Sequence, residues 1–427
     1  MPRPATSNRA DTRWTVRVIP FFIFAALGYA TYLVVAHLCV DYLLREKKKT
    51  AVAIVLLVLY FIFFILTVAS YLRTFLTIQF NTGIVPFTAE REALDKERRE
   101  TKKRGGDVEA LTWVPPDTDP DSPGLEAFYS KDAFVCEVDG RPKWCSECRN
   151  WKPDRAHHSS DLDRCIRKMD HLCPWVGGVV SETCGFNGRN TSRVTNTSPA
   201  FNFFAQFTSY CACYCAICLA TAAYSLRLKQ QDGRPLDGYI IAGLVLSGLF
   251  GFFTLAMTAT SARFIFTNIT NIDLFKKNQT FRLAVRIPQN TPRTDRYETI
   301  TYPLVSSPWG STGPERAHGY EMGQLNGHAQ ETANPSSARD QQARRTFAIL
   351  ATQPGENPWN VGYWRNFKSV MGNSVIDWLL PIRHSPCCNH DSMESDYEFG
   401  PLLDELKRRY GIVDDGPPKD GIEMTSS

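Results

Sequence analysis

The chain has 427 residues, 43% of them hydrophobic and 22% charged, and a net charge of +4. This length is enough for two or three ordinary domains. So small a net charge gives no indication of a nucleic-acid partner, and none is expected.

Four long stretches of the chain carry no lysine, arginine, aspartate or glutamate. A helix needs about 20 apolar residues to cross the hydrocarbon core of a bilayer, and a chain in lipid satisfies its backbone polar groups by forming helices. The pattern therefore predicts four transmembrane helices, of which the third is the least typical because it contains Asn202 and Gln206. The stretches are Val18–Val40, Ala51–Tyr71, Phe201–Leu226 and Tyr239–Ala262.

The charged residues bear on the orientation of these helices. The first stretch is too long for a secretory signal peptide, and no small-residue cleavage site follows it. The loop at about 72–200 is rich in lysine and arginine, which favours the cytosolic side, and residues 1–17 are expected there as well. Four basic residues at 45–49, in the first hairpin, compete with this signal, so charge alone decides the orientation only weakly.

The central loop begins with a charged segment and a linker. Residues 90–107 alternate in charge sign, which predicts an exposed helix, and Pro115–Pro123 is turn-rich. Five of the thirteen cysteines then lie between Cys136 and Cys173. In a reducing compartment, such a cluster is typical of a metal site or a catalytic site rather than of disulfides.

A predicted zinc site lies within that cluster. Cys145 and Cys148 form a C-x2-C pair, and His158 and Cys165 follow it. Three thiolates and one imidazole make a tetrahedral zinc site of the structural type. The metal would replace the core that so short and polar a segment cannot build. The spacing therefore predicts one structural zinc ion, with free thiols as the alternative.

The run Asp170-His171-Leu172-Cys173 places a thiol two residues after a histidine. A neighbouring base turns a cysteine into a nucleophile by taking its proton, and a carboxylate can orient that base. From the residues alone two interpretations stay open. Cys173 is a nucleophile served by His171 and Asp170, or it is a further zinc ligand.

The tail after the fourth helix, residues 263–427, changes composition along its length. Residues 288–345 are rich in Ser, Thr, Pro, Gly, Asn and Gln, which predicts disorder. Order is expected to return at 357–370, and Pro401–Tyr410 has the pattern of a last helix. The pair Cys387 and Cys388 could bind metal or accept an acyl chain, although a plain polar tail is the simpler interpretation.

The run KPDR, HH, C and MDH-x-CPW between Lys152 and Trp175 resembles the DHHC protein S-acyltransferases, as does the arrangement of four helices around a cysteine-rich loop. Three further motifs of that family have similar counterparts at 81–83 (NTG), 270–273 (TNID) and around Asn366. The runs WKPDRAHHSS and CPWVGGVVSET are especially similar to one fungal branch, the fifth protein fatty acyltransferase of fungi. The resemblance covers nearly the whole chain outside the tail.

The resemblance implies a role for each matching residue. Cys173 corresponds to the nucleophile that accepts the acyl group, His171 to its base, and Asp170 to the residue that orients the base. One zinc site is matched in full, by Cys145, Cys148, His158 and Cys165.

The second zinc site of the family has no ligands here. Its positions correspond to Ser159, Leu162, Leu172 and Val179, all of which lack the metal-binding atoms of the family. We therefore expect one zinc ion instead of two, with Leu172 and Val179 packing apolar surface in its place. Residues 184–200 also lack a counterpart in the fungal branch, and are either a disordered insertion or an intron left in the gene model.

The fold class expected is an all-α polytopic membrane protein. Its helices lie within 18–71 and 201–262, a loop and linker occupy 72–143, and a small zinc-binding module occupies 144–183, between helices two and three, on the cytosolic face.

The expected function is transfer of a long-chain acyl group from palmitoyl-CoA, through Cys173, to cysteines of membrane-associated proteins. The acyl chain would lie among the helices of the bilayer. The CoA phosphates would face basic residues of the loop, for which the candidates are Arg164, Arg167 and Lys168. The alternative is a zinc-supported membrane scaffold that has lost its chemistry.

Overall fold

The computed structural model describes residues 7–80, 83–104, 124–181, 201–275, 280–288, 291, 294–302, 344–383, 385 and 397–412. The chain divides into two compact units. Unit 1 comprises Met1–Leu111, Lys152–Gln279 and Pro354–Leu403, and unit 2 comprises Thr112–Trp151, Thr280–Gln353 and Asp404–Ser427.

Four helices of unit 1 are long and apolar enough to cross a membrane, which confirms the number predicted. The first begins as α1 (Ser7–Thr31) and continues as a π-helix (Tyr32–Glu46). The others are α2 (Thr50–Phe80), α5 (Phe201–Gln231) and α6 (Gly238–Thr267). The apolar spans are Val18–Glu46, Thr50–Gln79, Phe201–Gln231 and Gly238–Thr267.

Aromatic and small residues pack these helices together. The hydroxyls of Tyr60 on α2 and Tyr214 on α5 lie 2.9 Å apart, and the Tyr60 hydroxyl also lies 2.7 Å from Oγ1 of Thr31. The first helix and α6 approach closely at Gly243, where an added Cβ would meet the end of the Leu33 side chain. A larger residue there would force Leu33 to repack.

The parts of unit 1 outside the membrane helices include short hairpins. Helix α3 (Ala89–Lys103) confirms the helix predicted from alternating charge. The first hairpin pairs β4 (His157–Ser159) with β5 (Arg164–Ile166), and the second pairs β6 (Met169–Cys173) with β7 (Gly178–Ser181).

Three short helices follow the membrane helices in unit 1. They are α7 (Asn271–Phe275), α8 (Tyr363–Met371) and α9 (Val375–Leu379). Order was expected to return at 357–370, and α8 lies mostly within that region. Gly372 separates these two helices with a φ of +96°, in the left-handed region that favours glycine.

Unit 2 is built around a four-stranded antiparallel sheet in the order β1, β8, β10, β9. Phe134, Tyr302 and Phe347 are buried together in its core. The strands are β1 (Ala133–Cys136), β8 (Arg282–Ile287), β9 (Glu298–Tyr302) and β10 (Arg345–Ala351). The remaining elements are α4 (Glu126–Tyr129), a β2–β3 hairpin (Trp144–Cys145 and Asn150–Trp151) and α10 (Leu402–Tyr410).

This sheet corrects two predictions. The fold is not all-α, because segments of the central loop and of the tail form strands that pair with each other. Disorder over 288–345 is also wrong for Glu298–Tyr302, which is strand β9. Local composition concealed this strand because its partner, β10, lies some forty residues further along the chain.

Several predictions concern residues outside the described ranges. These are the linker at 115–123, the insertion at 184–200, residues 81–82 of the NTG motif, most of the segment at 303–343, and the Cys387–Cys388 pair.

Candidate active site

Cys173 ends strand β6 and is followed at once by the turn of the β6–β7 hairpin. A single 3₁₀ turn, Pro174–Val176, leads to Gly177, whose φ of +79° is strained for any other residue. An added Cβ at Gly177 would also lie 2.7 Å from the ring of Phe75. The hairpin thus turns tightly against helix α2.

Hydrogen bonds from α2 fix the tip of this hairpin. The Gln79 amide donates to the Gly177 carbonyl at 2.7 Å, and the Tyr71 hydroxyl donates to the Trp175 carbonyl at 3.4 Å. Cys173 itself is 5% exposed and packs in an apolar cluster with Tyr71 and Phe204. The Cys173 thiol therefore lies at one end of the helix bundle, where α2 leaves its apolar span.

Asp170 and His171 lie beside Cys173 on the same strand. Oδ2 of Asp170 accepts a hydrogen bond from Nδ1 of His171 at 2.6 Å, and Asp170 is only 4% exposed. The register shift between Met169 and His171 falls at Asp170, so the carboxylate turns back toward the imidazole. The ring of His171 packs edge-on against Phe204, with the centroids 5.4 Å apart.

The electrostatics of His171 favour its charged form. Burial by itself lowers the pKa of His171, but the hydrogen bond to Asp170 and the proximity of Asp170 and Cys173 outweigh burial. Together they raise the pKa from its ordinary 6.5 to about 9. At neutral pH the arrangement therefore favours an imidazolium at His171, and a positive charge beside a cysteine favours its reactive, deprotonated form.

The start of α7 holds Asp170 from its other side. Oδ1 of Asp170 accepts the backbone N–H of Asn271 at 2.7 Å. Asn271 is held in turn by reciprocal hydrogen bonds between its neighbours, in which the N–H of Thr270 reaches Asp273 at 3.0 Å and the N–H of Asp273 reaches the Thr270 hydroxyl at 3.1 Å. The TNID motif thus positions the carboxylate that orients His171.

Arg155, from the KPDR run, links this motif to the end of α6. Its guanidinium donates to Asp273 at 2.8 Å and to the side chain and carbonyl of Asn268 at 2.8 and 2.9 Å. It also lies over the ring of Trp359, 4.7 Å from the centroid. Sequence reasoning quoted KPDR as a motif but assigned Arg155 no role, and the structure gives it one in positioning.

An apolar cavity of about 140 Å³ opens from Cys173 into the helix bundle. Trp175, Phe207 and Phe250 line it near the thiol, and Tyr29 and Gly243 line it deeper between the helices. Cys211, Cys215 and Cys218 also line it, and a cysteine inside a membrane helix packs as a small apolar residue. A cavity this apolar fits a hydrocarbon chain and no charged group.

The predicted zinc ligands lie on two hairpins. Cys145 and Cys148 belong to the β2–β3 hairpin, with their sulfur atoms within 4.8 Å of each other. His158 and Cys165 face each other directly across β4 and β5, and their ligand atoms also lie within 4.8 Å. All three cysteines are buried thiols. Thiolate and imidazole donors of this kind suit zinc, and each pair places two of them close enough to share one ion.

The four positions that lack metal-binding atoms behave differently from one another. Leu172 and Val179 face each other directly across β6 and β7, and Val179 is fully buried. Ser159 is buried and its hydroxyl accepts the N–H of Leu162 at 3.5 Å, while Leu162 is largely exposed. The Leu172–Val179 pair agrees with the expectation that apolar packing replaces a metal in this hairpin.

The basic residues predicted to face CoA phosphates are more buried than expected. Arg167 and Lys168 are 2% and 6% exposed, and Arg164 lies over the ring of Phe87, 3.3 Å from its centroid. The structure therefore places these three side chains against protein groups, and their contact with phosphate stays a prediction.

Comparison with known proteins gives a consistent result. A family model described as DHHC palmitoyltransferase matches residues 138–184. The chain is 34% identical to Palmitoyltransferase pfa5 of Aspergillus fumigatus, over 96% of this chain and 93% of that protein. It is 34% identical to Palmitoyltransferase pfa5 of Emericella nidulans, over 93% and 86% of the two chains. It is 28% identical to human Palmitoyltransferase ZDHHC2, over 69% of each.

Proposed function

The chain belongs to the DHHC palmitoyltransferase family, close to its fungal pfa5 members, and is a protein S-palmitoyltransferase, and from that premise we propose that Cys173 carries the acyl group as a thioester. The observation that supports this most is the hydrogen-bonded chain from Asn271 through Asp170 to His171, two residues before Cys173, which lines the mouth of an apolar cavity. The interpretation of Cys173 as a further zinc ligand has no such support.

The first half-reaction forms the acyl-enzyme. The Cys173 thiolate attacks the thioester carbon of palmitoyl-CoA, the new carbon–sulfur bond forms, and the bond to the CoA sulfur breaks. The imidazolium of His171 gives its proton to the departing CoA thiolate, and Asp170 holds the ring in the correct orientation. No oxidant or energy source is consumed, because one thioester replaces another.

The second half-reaction returns the enzyme to its starting state. A cysteine thiol of the protein substrate gives its proton to the neutral His171 and attacks the Cys173 thioester. The acyl group moves to the substrate sulfur, and Cys173 leaves as the thiolate next to the imidazolium. Because the two half-reactions share one site, the kinetics should be ping-pong.

The apolar cavity would hold the acyl chain during both steps. Each methylene group that leaves water contributes about 0.8 kcal/mol, so binding strengthens with chain length until the cavity is full. The CoA part would stay outside the bundle, with Arg164, Arg167 and Lys168 turning outward toward its phosphates. The active site would then face the cytosol, where acyl-CoA and the cysteines of membrane-associated proteins are both available.

The proposed zinc ion is structural. Cys145, Cys148, His158 and Cys165 would hold it as a closed set of four ligands, with no position left open for a substrate. When bound, zinc cross-links the hairpins of a module that has little core of its own. The chemistry at Cys173 does not pass through the metal.

The test is formation of the acyl-enzyme by the purified full-length protein. Labelled palmitoyl-CoA should give a hydroxylamine-sensitive label on the wild type and none above background on Cys173→Ser. Cys211→Ser is the matched control, because Cys211 lines the same cavity but has no base beside it, and it should label like the wild type. Equal labelling of Cys173→Ser and wild type would refute the assignment. The alternative of an inactive scaffold predicts no label on any of the three, and no structural observation favours it.

A further inference from the structure

The segment from Val375 to Arg383 has an inverted polarity. Its apolar side chains point outward, with Ile376 60% and Leu379 55% exposed, while Asp377 is buried. Asp377 is held inside by reciprocal hydrogen bonds with Ser374 at the start of α9. The exposed apolar set is Val375, Ile376, Leu379, Leu380 and Ile382, which we call the apolar ridge. In water such a contiguous patch is unfavourable.

Three polar residues of the membrane-spanning helix α5 bind backbone carbonyls of this segment. They are Asn202, Gln206 and Tyr210, which we call the polar stripe. The Gln206 amide of α5 donates to the carbonyls of Asp377, Trp378 and Leu380 at 2.8, 3.1 and 3.3 Å. These contacts explain why an apolar span contains a glutamine near its start. The stripe recurs every four residues along one face of α5, and so lies on the side that meets the segment.

Two more members of the stripe make the same kind of contact. The Asn202 amide donates to the Arg383 carbonyl at 3.2 Å, and the Tyr210 hydroxyl donates to the Leu379 carbonyl. Five carbonyls of the segment are therefore paired with side chains of α5 rather than left to water. A bilayer requires this arrangement, because an unpaired backbone group in lipid costs several kcal/mol.

The length of α5 sets the depth of the segment. Its 31 residues extend about 46 Å at 1.5 Å per residue, longer than the hydrocarbon core of about 30 Å. At least one end of α5 therefore lies in the interface between headgroups and acyl chains, and the polar side chains of Asn202 and Gln206 mark its start as such an end. Gln206 lies only five residues, roughly 8 Å, from the start of the helix. The segment that Gln206 holds lies at this level and not in bulk water.

The residues that flank the apolar ridge are of the type found at membrane interfaces. Tyr363 and Trp364 at the start of α8 are exposed, and aromatic rings of this kind concentrate at headgroup level. Lys368 lies over the Trp364 ring, and the Arg383 side chain is largely exposed. These cations match the negative charge of anionic lipid headgroups.

We infer that residues 363–383 dock into the lipid interface as a monotopic element, with the apolar ridge among the acyl chains and the basic residues at the headgroups. The occupant of this surface is the bilayer itself, because Asn202 and Gln206 fasten the segment to a membrane-spanning helix while its apolar ridge faces outward. Val370 and Met371 of the same element pack in the apolar cluster that contains Cys173. Docking would therefore set the height of the active-site hairpin above the bilayer.

Lipid photo-crosslinking of the full-length protein tests this inference. The protein is reconstituted in nanodiscs of phosphatidylcholine and phosphatidylserine that contain a phosphatidylcholine with a diazirine on its acyl chain, and crosslinked peptides are mapped by mass spectrometry. The peptide with residues 375–382 should label as strongly as the peptide of α6 that carries the exposed side chains Leu249 and Phe252. In the double variant Ile376→Glu/Leu379→Glu its labelling should fall about fivefold or more, because each charge is costly in lipid.

Matched variants keep the test independent of folding and of catalysis. Val138→Glu, which replaces an exposed apolar residue of unit 2, should leave the labelling of 375–382 unchanged, as should the conservative Ile376→Phe/Leu379→Phe. Cys173→Ser should label like the wild type, since the inference does not depend on acyl transfer. Labelling of 375–382 at the level of the Val138 peptide, or no loss in the glutamate double variant, would overturn it.

Discussion

Two neighbouring hairpins of unit 1 differ in the kind of side chains that face each other across their strands. In the β4–β5 hairpin, the residues that face each other are His158 and Cys165, both metal-binding side chains. In the β6–β7 hairpin, the residues that face each other are Leu172 and Val179, which can only pack. The hairpin with the proposed nucleophile thus depends on apolar contact, whereas its neighbour has ligands for a metal.

The β6–β7 hairpin compensates through contacts that need no metal. Gln79 donates a hydrogen bond to its turn, and the Asn271 N–H donates one to Asp170. Val179 and Val180 of its strand β7 are fully buried. The comparison predicts that the β6–β7 hairpin, anchored to a membrane helix on one side and to the TNID motif on the other, needs no second zinc. It also predicts that damage to the two hairpins will have different consequences.

The largest effect is expected from removing a zinc ligand. In Cys165→Ser the module should lose its metal, because apparent zinc binding in small modules contributes about 10 kcal/mol or more to folding. Zinc content measured by plasma mass spectrometry should fall from one ion per chain to none, and acyl-enzyme formation should fall with it. Leu162→Ser, at an exposed position that lacks a metal-binding atom, should keep its zinc. Two ions per wild-type chain would contradict the account of the β6–β7 hairpin.

Loss of the proposed base should leave the metal in place but impair the chemistry. His171→Ala should slow acyl-enzyme formation by about 10²–10⁴-fold, the usual contribution of a positioned acid or base. Single-turnover labelling with palmitoyl-CoA measures this rate, and zinc content should stay at one ion per chain. If the rate is unchanged, the thiol of Cys173 is activated by some other group.

The pH dependence should identify the carboxylate that tunes His171. Because the pKa of His171 is about 9, the imidazolium persists across neutral pH, and single-turnover labelling should decline as the pH rises through about 9. Asp170 raises this pKa by hydrogen bonding and by charge, so Asp170→Asn should move the decline to lower pH. A decline at the same pH in both proteins would show that Asp170 does not act on His171.

The smallest effect is expected from shortening one side chain of the apolar Leu172–Val179 pair. Val179→Ala should destabilise the β6–β7 hairpin by roughly 1.5–3 kcal/mol, from lost burial and the cavity left behind. Thermal unfolding of the detergent-solubilised protein should shift to lower temperature, while zinc content stays at one ion per chain. Loss of zinc in Val179→Ala would mean that the two hairpins are not independent.

Much of this site could be predicted from sequence because its signals are local. The C-x2-C pair, the DHLC run and the four uncharged stretches each fit within one element, and periodicity or spacing identifies them. The partners of Asp170 and Arg155 could not be found this way, since Asn271 and Asp273 lie about a hundred residues further along. Strand β9 was missed for the same reason: its sheet forms only when distant segments meet.

The polar residues of α5 show a second limit of prediction from sequence. Asn202 and Gln206 made the third span the least typical of the four, because amides are costly in lipid. Their partners are backbone carbonyls of the tail, which no sequence pattern marks. The polar residues that weakened the prediction of a membrane helix thus attach the tail to that helix.

The most direct test of the central claim follows the acyl group from Cys173 to an acceptor. The full-length protein is loaded with labelled palmitoyl-CoA, free acyl-CoA is removed, and a cysteine-containing membrane peptide is added. Peptide mapping by mass spectrometry should find the acyl group on Cys173 before the chase and on the acceptor after it, at a rate no slower than steady-state turnover. An acyl group found on another cysteine, or one that stays on the enzyme while turnover continues, would contradict the proposed mechanism.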